Sequence, residues 1–485
     1  MDDEGRGAVT GSSLAEAKCA ARGRHFGELF RQQWVLASGR TLGFEGFLAT
    51  SIGRFVLHYG SAVRLSDILD ERGARVGVLI GVAVDDTGAV VDGTLRIGAA
   101  VGDAEAFWLA AEARLGGLAG RYLAVIDTGG AARAYFDPVC DMGAVYDREA
   151  GLLGSSLMLV LRRPIRPNRD FNLHRILRGV ANFGFQATAD EDVRRTIPNH
   201  YLDLRDWTFH RHWPHASDRF EAAAADAGEI VDRMMARLGA ITGALVRRFD
   251  CIMPVTGGRD SRMLLAASMA DLGHVRQFGA FRFHNPSRID ARIGREITNA
   301  LGFEFTQYFF RPAQAQDLKD FRLKSGYHGY RGELLALDGA LRFPKDHLVL
   351  RGNIMELMRA NQWRERHLDK PFKLVHGMKR AKFVAALNDP DDRAPWEARY
   401  QAWRKTLPDG AQRKVYDFGF LEHLLPNTQG TYFGGYHDTF FINPFNDRSL
   451  IADAIRLPAD MRFRNEVVMM ALTRTAPELL DFEFL

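Results

Sequence analysis

The run Val255-Thr256-Gly257-Gly258-Arg259-Asp260-Ser261-Arg262 most narrows what this chain can fold into, because it stands between an apolar stretch and the apolar start of a helix. Ile252 to Val255 read as a buried strand, and Met263-Leu264-Leu265-Ala266-Ala267 as the helix that follows. Glycines at the junction let backbone N–H groups converge without Cβ obstruction. Such a loop suits an anion held at a helix N-terminus by unsatisfied donors and the helix dipole. Asp260 would repel a phosphate there unless a cation lay between them, so the pattern points to magnesium bridging phosphate oxygens and hence to a magnesium nucleotide. The plainer alternative is a glycine turn that only joins a strand to a helix.

Beyond the loop, the helix Met263 to Leu272, the strand Val275 to Phe283, the helix Ala291 to Leu301 and the short strand Glu304 to Phe309 alternate. That alternation predicts an α/β domain with a doubly wound parallel sheet and ligands at the carboxyl ends of its strands. Upstream, Ile230, Val231, Met234, Met235, Leu238 and Ile241 recur at helical spacing, which predicts a long amphipathic helix between Phe220 and Phe249. The first half has a different character. Val76 to Val84, Leu118 to Asp127, Ala134 to Asp137 and Gly143 to Asp147 are short β-rich runs separated by turns, the pattern of a β-sandwich. Residues 1–40 are expected to be a loose segment ending in a short helix, 41–215 the β-rich domain and 216–485 the α/β domain. Arg162, Arg163, Arg166 and Arg169, interrupted by Pro164 and Pro167, read as part of the connection.

A chain of 485 residues has room for two or three domains, and 46% apolar with 26% charged residues is an ordinary globular balance. A net charge of +4 at this length is too weak to indicate nucleic acid as a partner. Cys19, Cys140 and Cys251 are too scattered for a disulfide framework or structural zinc, which fits a reducing compartment. The start Met1-Asp2-Asp3-Glu4 is acidic, and no stretch approaches the roughly 18 apolar residues of a membrane span. A cytoplasmic location is expected.

The loop lacks both the GxxxxGK[ST] lysine and the GxGxxG triplet, so it is neither a Walker loop nor a Rossmann fingerprint. It resembles the SGGxDS pyrophosphate loop of the ATP pyrophosphatases, and the wider chain is similar to the asparagine synthetase class. The resemblance implies an adenine nucleotide α-hydrolase-like sheet for the second half. Leu118 to Asp127, Ala134-Tyr135-Phe136-Asp137-Pro138 and Gly143 to Tyr146 resemble the amidotransferase domain of that class, which implies a layered Ntn-hydrolase-like α+β domain for the first half. In the family a cysteine exposed after Met removal attacks glutamine. Here Asp2 follows Met1, and Cys19 lies too far in, so the half is expected to be a glutaminase-type scaffold without glutaminase activity. In layout it is similar to β-lactam synthetase and lasso-peptide cyclases.

Three further stretches carry the resemblance. Asp290 to Gly302 looks like the family's second helix, where an aspartate lies near the pyrophosphate; Asp290 also reads as a plain helix N-cap, with Gly302 as C-cap. Leu348 to Leu357 is similar to the family's strand and SG-acidic loop, with Arg351 in place of the serine, Gly352 against the nucleotide, and Glu356 in the carboxylate position that holds magnesium. Asp260 and Glu356 are therefore the expected metal ligands, leaving positions open for phosphates. Met358-Arg359 replaces the family's glycine-tyrosine. Asn443 to Leu450 with Ile455-Arg456-Leu457-Pro458 is close to the VPFLD-x-x-L…LP run, and Asp447 reads as the cap of its helix.

The family's later lysine is missing from Val467 to Leu472; Arg464 or Arg474 could supply positive charge, although a guanidinium cannot act as a base. His437, beside Asp438, is a candidate general base near the acceptor. The expected nucleotide-binding set is Val255, Thr256, Gly257, Gly258, Arg259, Asp260, Ser261, Arg262, Phe281, Asp290, Arg351 and Gly352, and the expected catalytic set is Asp260, Glu356, Arg474 and His437. The resemblance implies an ATP- and Mg2+-dependent ligase that adenylates a carboxylate and passes it to an amine. The expected partners are a small-molecule or peptide carboxylate and an amine acceptor, with a homodimer admitted and neither nucleic acid nor membrane. Two other readings stay open: a nucleotide-binding interaction module of the same fold, and an enzyme that stops at adenylation of a macromolecule.

Overall fold

The computed structural model describes residues 12–39, 41–282, 285–309, 313–328, 341–368, 370–430, 435 and 439–485, excluding the side chains of 285 and 286. The first half carries β1 (Trp34–Ser38), β2 (Leu48–Ile52), β3 (Phe55–Tyr59), β4 (Leu65–Leu69), β5 (Arg75–Val84), β6 (Thr94–Arg96) and β7 (Ala119–Asp127). It continues through β8 (Ala132–Phe136), β9 (Val145–Asp147), β10 (Leu152–Gly154), β11 (Arg194–Arg195), β12 (His200–Asp203) and β13 (Thr208–Arg211). These strands form a six-stranded antiparallel sheet, β11-β9-β10-β1-β3-β2, and a seven-stranded sheet, β13-β12-β8-β7-β5-β4-β6, in which β4 and β6 run parallel.

Strand alternation decides which residues meet. Trp34, Leu36 and Leu57 of the first sheet share one core with Val78, Ile80, Leu123 and Val125 of the second. The intervening residues face outward. Val35 and Ala37 join the core containing Ala15, Cys19 and Leu157, whereas Leu79, Tyr122, Ala124 and Ile126 pack with Phe107, Trp108, Ala111 and Leu115 of the helix Ala104–Gly116. The described part of residues 1–40 contains the expected short helix, but it is ordered and ends in a strand. Ser13 opens the helix Leu14–Ala20 with a capping box, its hydroxyl accepting from the Glu16 N–H at 3.1 Å while Glu16 accepts from the Ser13 N–H at 2.8 Å. β1 then lies inside the first sheet, between β10 and β3.

The helix Ala227–Arg248 buries Ile230, Val231, Met234, Met235, Leu238 and Ile241 along one stripe and delivers the chain to β14 (Cys251–Pro254). β15 (Gln277–Arg282), β16 (Phe305–Phe309), β17 (Leu348–Leu350) and β18 (Phe440–Ile442) complete a five-stranded parallel sheet in the order β16-β15-β14-β17-β18. Both of its faces are covered, as a parallel sheet requires. Ile252, Val349 and Phe441 pack with Phe321 and Phe343, while Cys251, Met253, Leu348, Leu350 and Ile442 belong to the core that holds Met263, Leu264, Ile293 and Ile297.

Two expected helices differ in extent. The helix after the loop runs from Arg259 to Ala267 and gives way to a tighter turn, Met269–His274. The next begins at Asn285, not at Ala291, because Pro286 suits a first helical turn, and it closes near Gly302, whose φ is +81°. The two halves meet through buried polar groups. Asn446 donates to the Gly120 carbonyl at 2.7 Å and to Asp137 at 2.8 Å, and Arg211 pairs with Glu422 at 2.7 Å. Among the described residues no helix is long and apolar enough to cross a membrane.

Candidate functional site

Strand order reverses about β14: β15 and β16 lie to one side, β17 and β18 to the other. In such sheets the crevice beyond the carboxyl ends at the reversal is where ligands collect. The loop leaving β14 and the loop leaving β17 meet there. A Cβ on Gly352 would come within 3.2 Å of the Asp260 backbone, so a side chain there would push the two loops apart by a few tenths of an ångström. A Cβ on Gly294 would strike the Val255 carbonyl at 2.1 Å, which shows how closely the helix Asn285–Ala300 is laid against the same loop.

Gly258 precedes the helix Arg259–Ala267. The amides of both glycines are already engaged: Gly257 N–H donates to Asp290 Oδ1 at 3.0 Å, and Gly258 N–H to Thr256 Oγ1 at 3.1 Å. Thr256 Oγ1 lies 2.8 Å from Ser261 Oγ, which also reaches the Gly258 carbonyl at 3.1 Å. The expectation that the glycine amides themselves point at the anion is corrected, since short oxygen acceptors on Thr256 and Asp290 lie within reach of them. The first intrahelical acceptor, the Gly258 carbonyl, is used by Arg262 N–H, so the amides of Arg259, Asp260 and Ser261 are the donors a helix start leaves for an anion. Asp290 stands inside its helix and braces the loop; it is not an N-cap.

Glu356 sits on the turn Met355–Arg359, bracketed by two non-glycine residues with positive φ, Ile354 at +71° and Ala360 at +45°. For a β-branched residue that backbone is costly and persists only where surrounding structure enforces it. Arg462 ties down the middle of the turn. This wholly buried guanidinium donates to the Leu357 carbonyl at 2.8 Å and pairs with the equally buried Asp417 at 2.9 Å. Arg359, on the same turn, grips Asp260 with Nε to Oδ1 at 2.9 Å.

Burial raises the Glu356 carboxyl to about 7, and the neighbouring Asp260 adds to the rise. Glu356 Oε2 is buried without a hydrogen-bond partner. Burial also raises Asp260, against the pull of Arg359. Two desolvated, mutually repelling carboxylates with an orphaned oxygen fit a divalent cation, and each Asp260 oxygen keeps a lone pair beyond its bond to Arg359. Among the described residues no group of three or more metal-ligating side chains gathers anywhere, so protein ligands there would number two and leave positions for phosphate and water.

The remaining expected residues divide. Arg351 hydrogen-bonds Asn353 at 3.1 Å beside the Gly352 turn. Phe281 packs among Tyr308 and Phe343, centroids 5.8 and 5.1 Å away. Arg262 is fully buried and donates to the carbonyls of Phe482 and Glu483, at 2.8 and 2.5 Å, behind the loop, which corrects its place in the nucleotide set. Arg259 donates to the Leu485 carbonyl at 2.9 Å. Arg474 is exposed and held by Asp232 on the helix Ala227–Arg248. His437 and Asp438 lie outside the described residues. Asp447 caps its helix by accepting from Leu450 N–H at 2.9 Å. Sequence reasoning missed the gripping role of Arg359 and the bracing role of Arg462; an arginine three residues after Glu356 is the one local signal of the former. Compared with known proteins, the chain matches no family model and no curated sequence.

Proposed function

We propose that the chain is an ATP-dependent ligase that forms AMP and pyrophosphate while joining a carboxylate to an amine. One observation carries the reading: Asp260 and the unpartnered Glu356 oxygen converge with a helix N-terminus at the reversal point of a parallel sheet. In the reaction a substrate carboxylate oxygen bonds to the α-phosphorus as the bond to pyrophosphate breaks, and the amine nitrogen then displaces AMP from the acyl carbon. The amides of Arg259, Asp260 and Ser261 would hold the departing pyrophosphate. Asp260 and Glu356 would hold magnesium, which neutralises charge on the phosphates.

Amine supply is not expected from a cysteine of this chain. Cys19, Cys140 and Cys251 are all buried, and burial raises Cys19 to about 11 and Cys251 to about 12, far from a thiolate nucleophile. The helix-covered pair of sheets supports reading the first half as a glutaminase-type scaffold without that activity. Incubation with ATP, magnesium and a panel of carboxylic acids and amines should release pyrophosphate, and Asp260→Ala should abolish the release with the fold intact.

The second reading, a nucleotide-binding module without turnover, draws on Arg359, whose guanidinium already compensates Asp260, and on the engagement of Arg474 by Asp232. Nucleotide uptake with no pyrophosphate release across the panel would select it.

A further inference from the structure

Between the segment Arg175–Asn182 and the segment Lys379–Arg393 lies a cavity of about 700 Å³. Its charge is of one sign. Arg175, Lys379, Lys382 and Arg393 line it, and no carboxylate does; Asp389, Asp391 and Asp392 are close in sequence but are not part of the wall. None of the four cations has an ion-pair partner among the described residues. Arg175 donates to the Ala385 carbonyl at 3.1 Å and Arg393 to the Pro390 carbonyl at 2.7 Å, contacts that fix each guanidinium and leave further N–H donors. Val180 supplies an apolar part of the wall and is itself 58% exposed.

Four cations without carboxylate partners around one concavity repel each other and favour a ligand carrying opposite charge. Burial lowers the Lys382 ammonium, Arg380 lowers it further, and Glu356 opposes both, so Lys382 lies within electrostatic reach of the candidate magnesium ligand. A hydrogen-bonded path runs between the two regions as well. Arg380 donates to the Asn361 carbonyl at 2.7 Å, and Asn361 N–H donates to the Glu356 carbonyl at 3.2 Å.

We propose that this cavity is a binding site for a small molecule bearing at least two anionic groups, carboxylate or phosphate, together with an apolar portion. Its volume suits such a ligand. Its assignment as the pocket for the acyl substrate rests on the ligase reading; as an anion site it stands alone.

Calorimetry on the full chain in magnesium-free buffer, with tricarballylate in one arm and 1,4-butanediol bisphosphate in the other, tests the site. At least one probe should bind, and the arm that binds identifies carboxylate or phosphate as the preferred charge. Lys379→Gln with Lys382→Gln, and separately Arg175→Gln with Arg393→Gln, should each weaken that binding by roughly tenfold or more. All four residues are exposed or half-buried, so the variants should fold. Asp260→Ala should leave probe binding unchanged. Binding that survives both double substitutions, or no uptake of either probe at millimolar concentration, overturns the proposal. Uptake of a magnesium nucleotide by the parent chain, measured separately, tells whether the ligase reading stands or falls with it.

Discussion

Arg359 grips Asp260 through both carboxylate oxygens, Nε to Oδ1 at 2.9 Å and Nη2 to Oδ2 at 2.5 Å, across the crevice between two loops of the parallel sheet. The guanidinium stands where a second positive charge would compensate the carboxylates of Asp260 and Glu356. Removing it leaves two buried carboxylates facing each other. Arg359→Met should therefore melt at a lower temperature than the parent in EDTA and recover more on magnesium addition than the parent does. Thermal unfolding with and without the ion checks this, and an equal response in both proteins would contradict it.

Glu356 carries the pH signature of the site. Its carboxyl is raised from 4.5 to about 7 by burial and by Asp260, so between those values the folded chain holds a proton that the unfolded chain releases. Its contribution to stability is therefore present below pH 4.5 and declines as pH rises toward about 7. Magnesium needs the ionised form, so binding near neutrality should expel a proton. Titrations of magnesium in two buffers of different ionisation enthalpy should give different apparent heats for the parent and equal heats for Glu356→Gln.

Glu422 ties the two halves together. It pairs with Arg211 and accepts from Asn199 at 3.0 Å and from the Trp403 indole at 2.7 Å. Burial alone would raise its carboxyl, but the charge and hydrogen bonds of Arg211 hold it down at about 2 instead of 4.5. That stabilisation, about 3 kcal/mol at roughly 1.4 kcal/mol per pH unit, is present above pH 4.5 and is lost as pH falls toward 2. Glu422→Gln should lose a comparable amount at pH 7 in denaturant unfolding, and the loss should shrink in acid.

The three thiols should be silent in the native chain. Cys19, Cys140 and Cys251 are buried, and burial raises each of them. A thiol reagent at neutral pH should label none before unfolding and all three after it. Cys19→Ser should change no glutamine-dependent rate.

Much of the parallel sheet was legible because its strands are short apolar runs punctuated by glycine, and the loop could be placed from Gly257 and Gly258 alone. What sequence spacing could not show are contacts between remote segments. Arg359 and Asp260 are 99 residues apart, and the basic cavity is built from Arg175 together with a segment beginning at Lys379. β1 escaped notice because Trp34 to Ala37 are buried on both sides of the strand, which erases the alternation that marks a half-exposed one. Asp290 is a residue type that suits an N-cap, so the helix start was placed at Ala291, whereas the helix begins at Asn285 and Asp290 braces the loop from inside it.

The central claim is that the helix start at Arg259 to Ser261, with Asp260 and Glu356, holds the diphosphate of a magnesium nucleotide. Calorimetric titration of the full chain with α,β-methylene ATP and magnesium tests it most directly. Saturable one-site uptake that depends on magnesium and is lost in Asp260→Ala is expected. Absence of uptake by the parent chain, or uptake unchanged in Asp260→Ala, would contradict it.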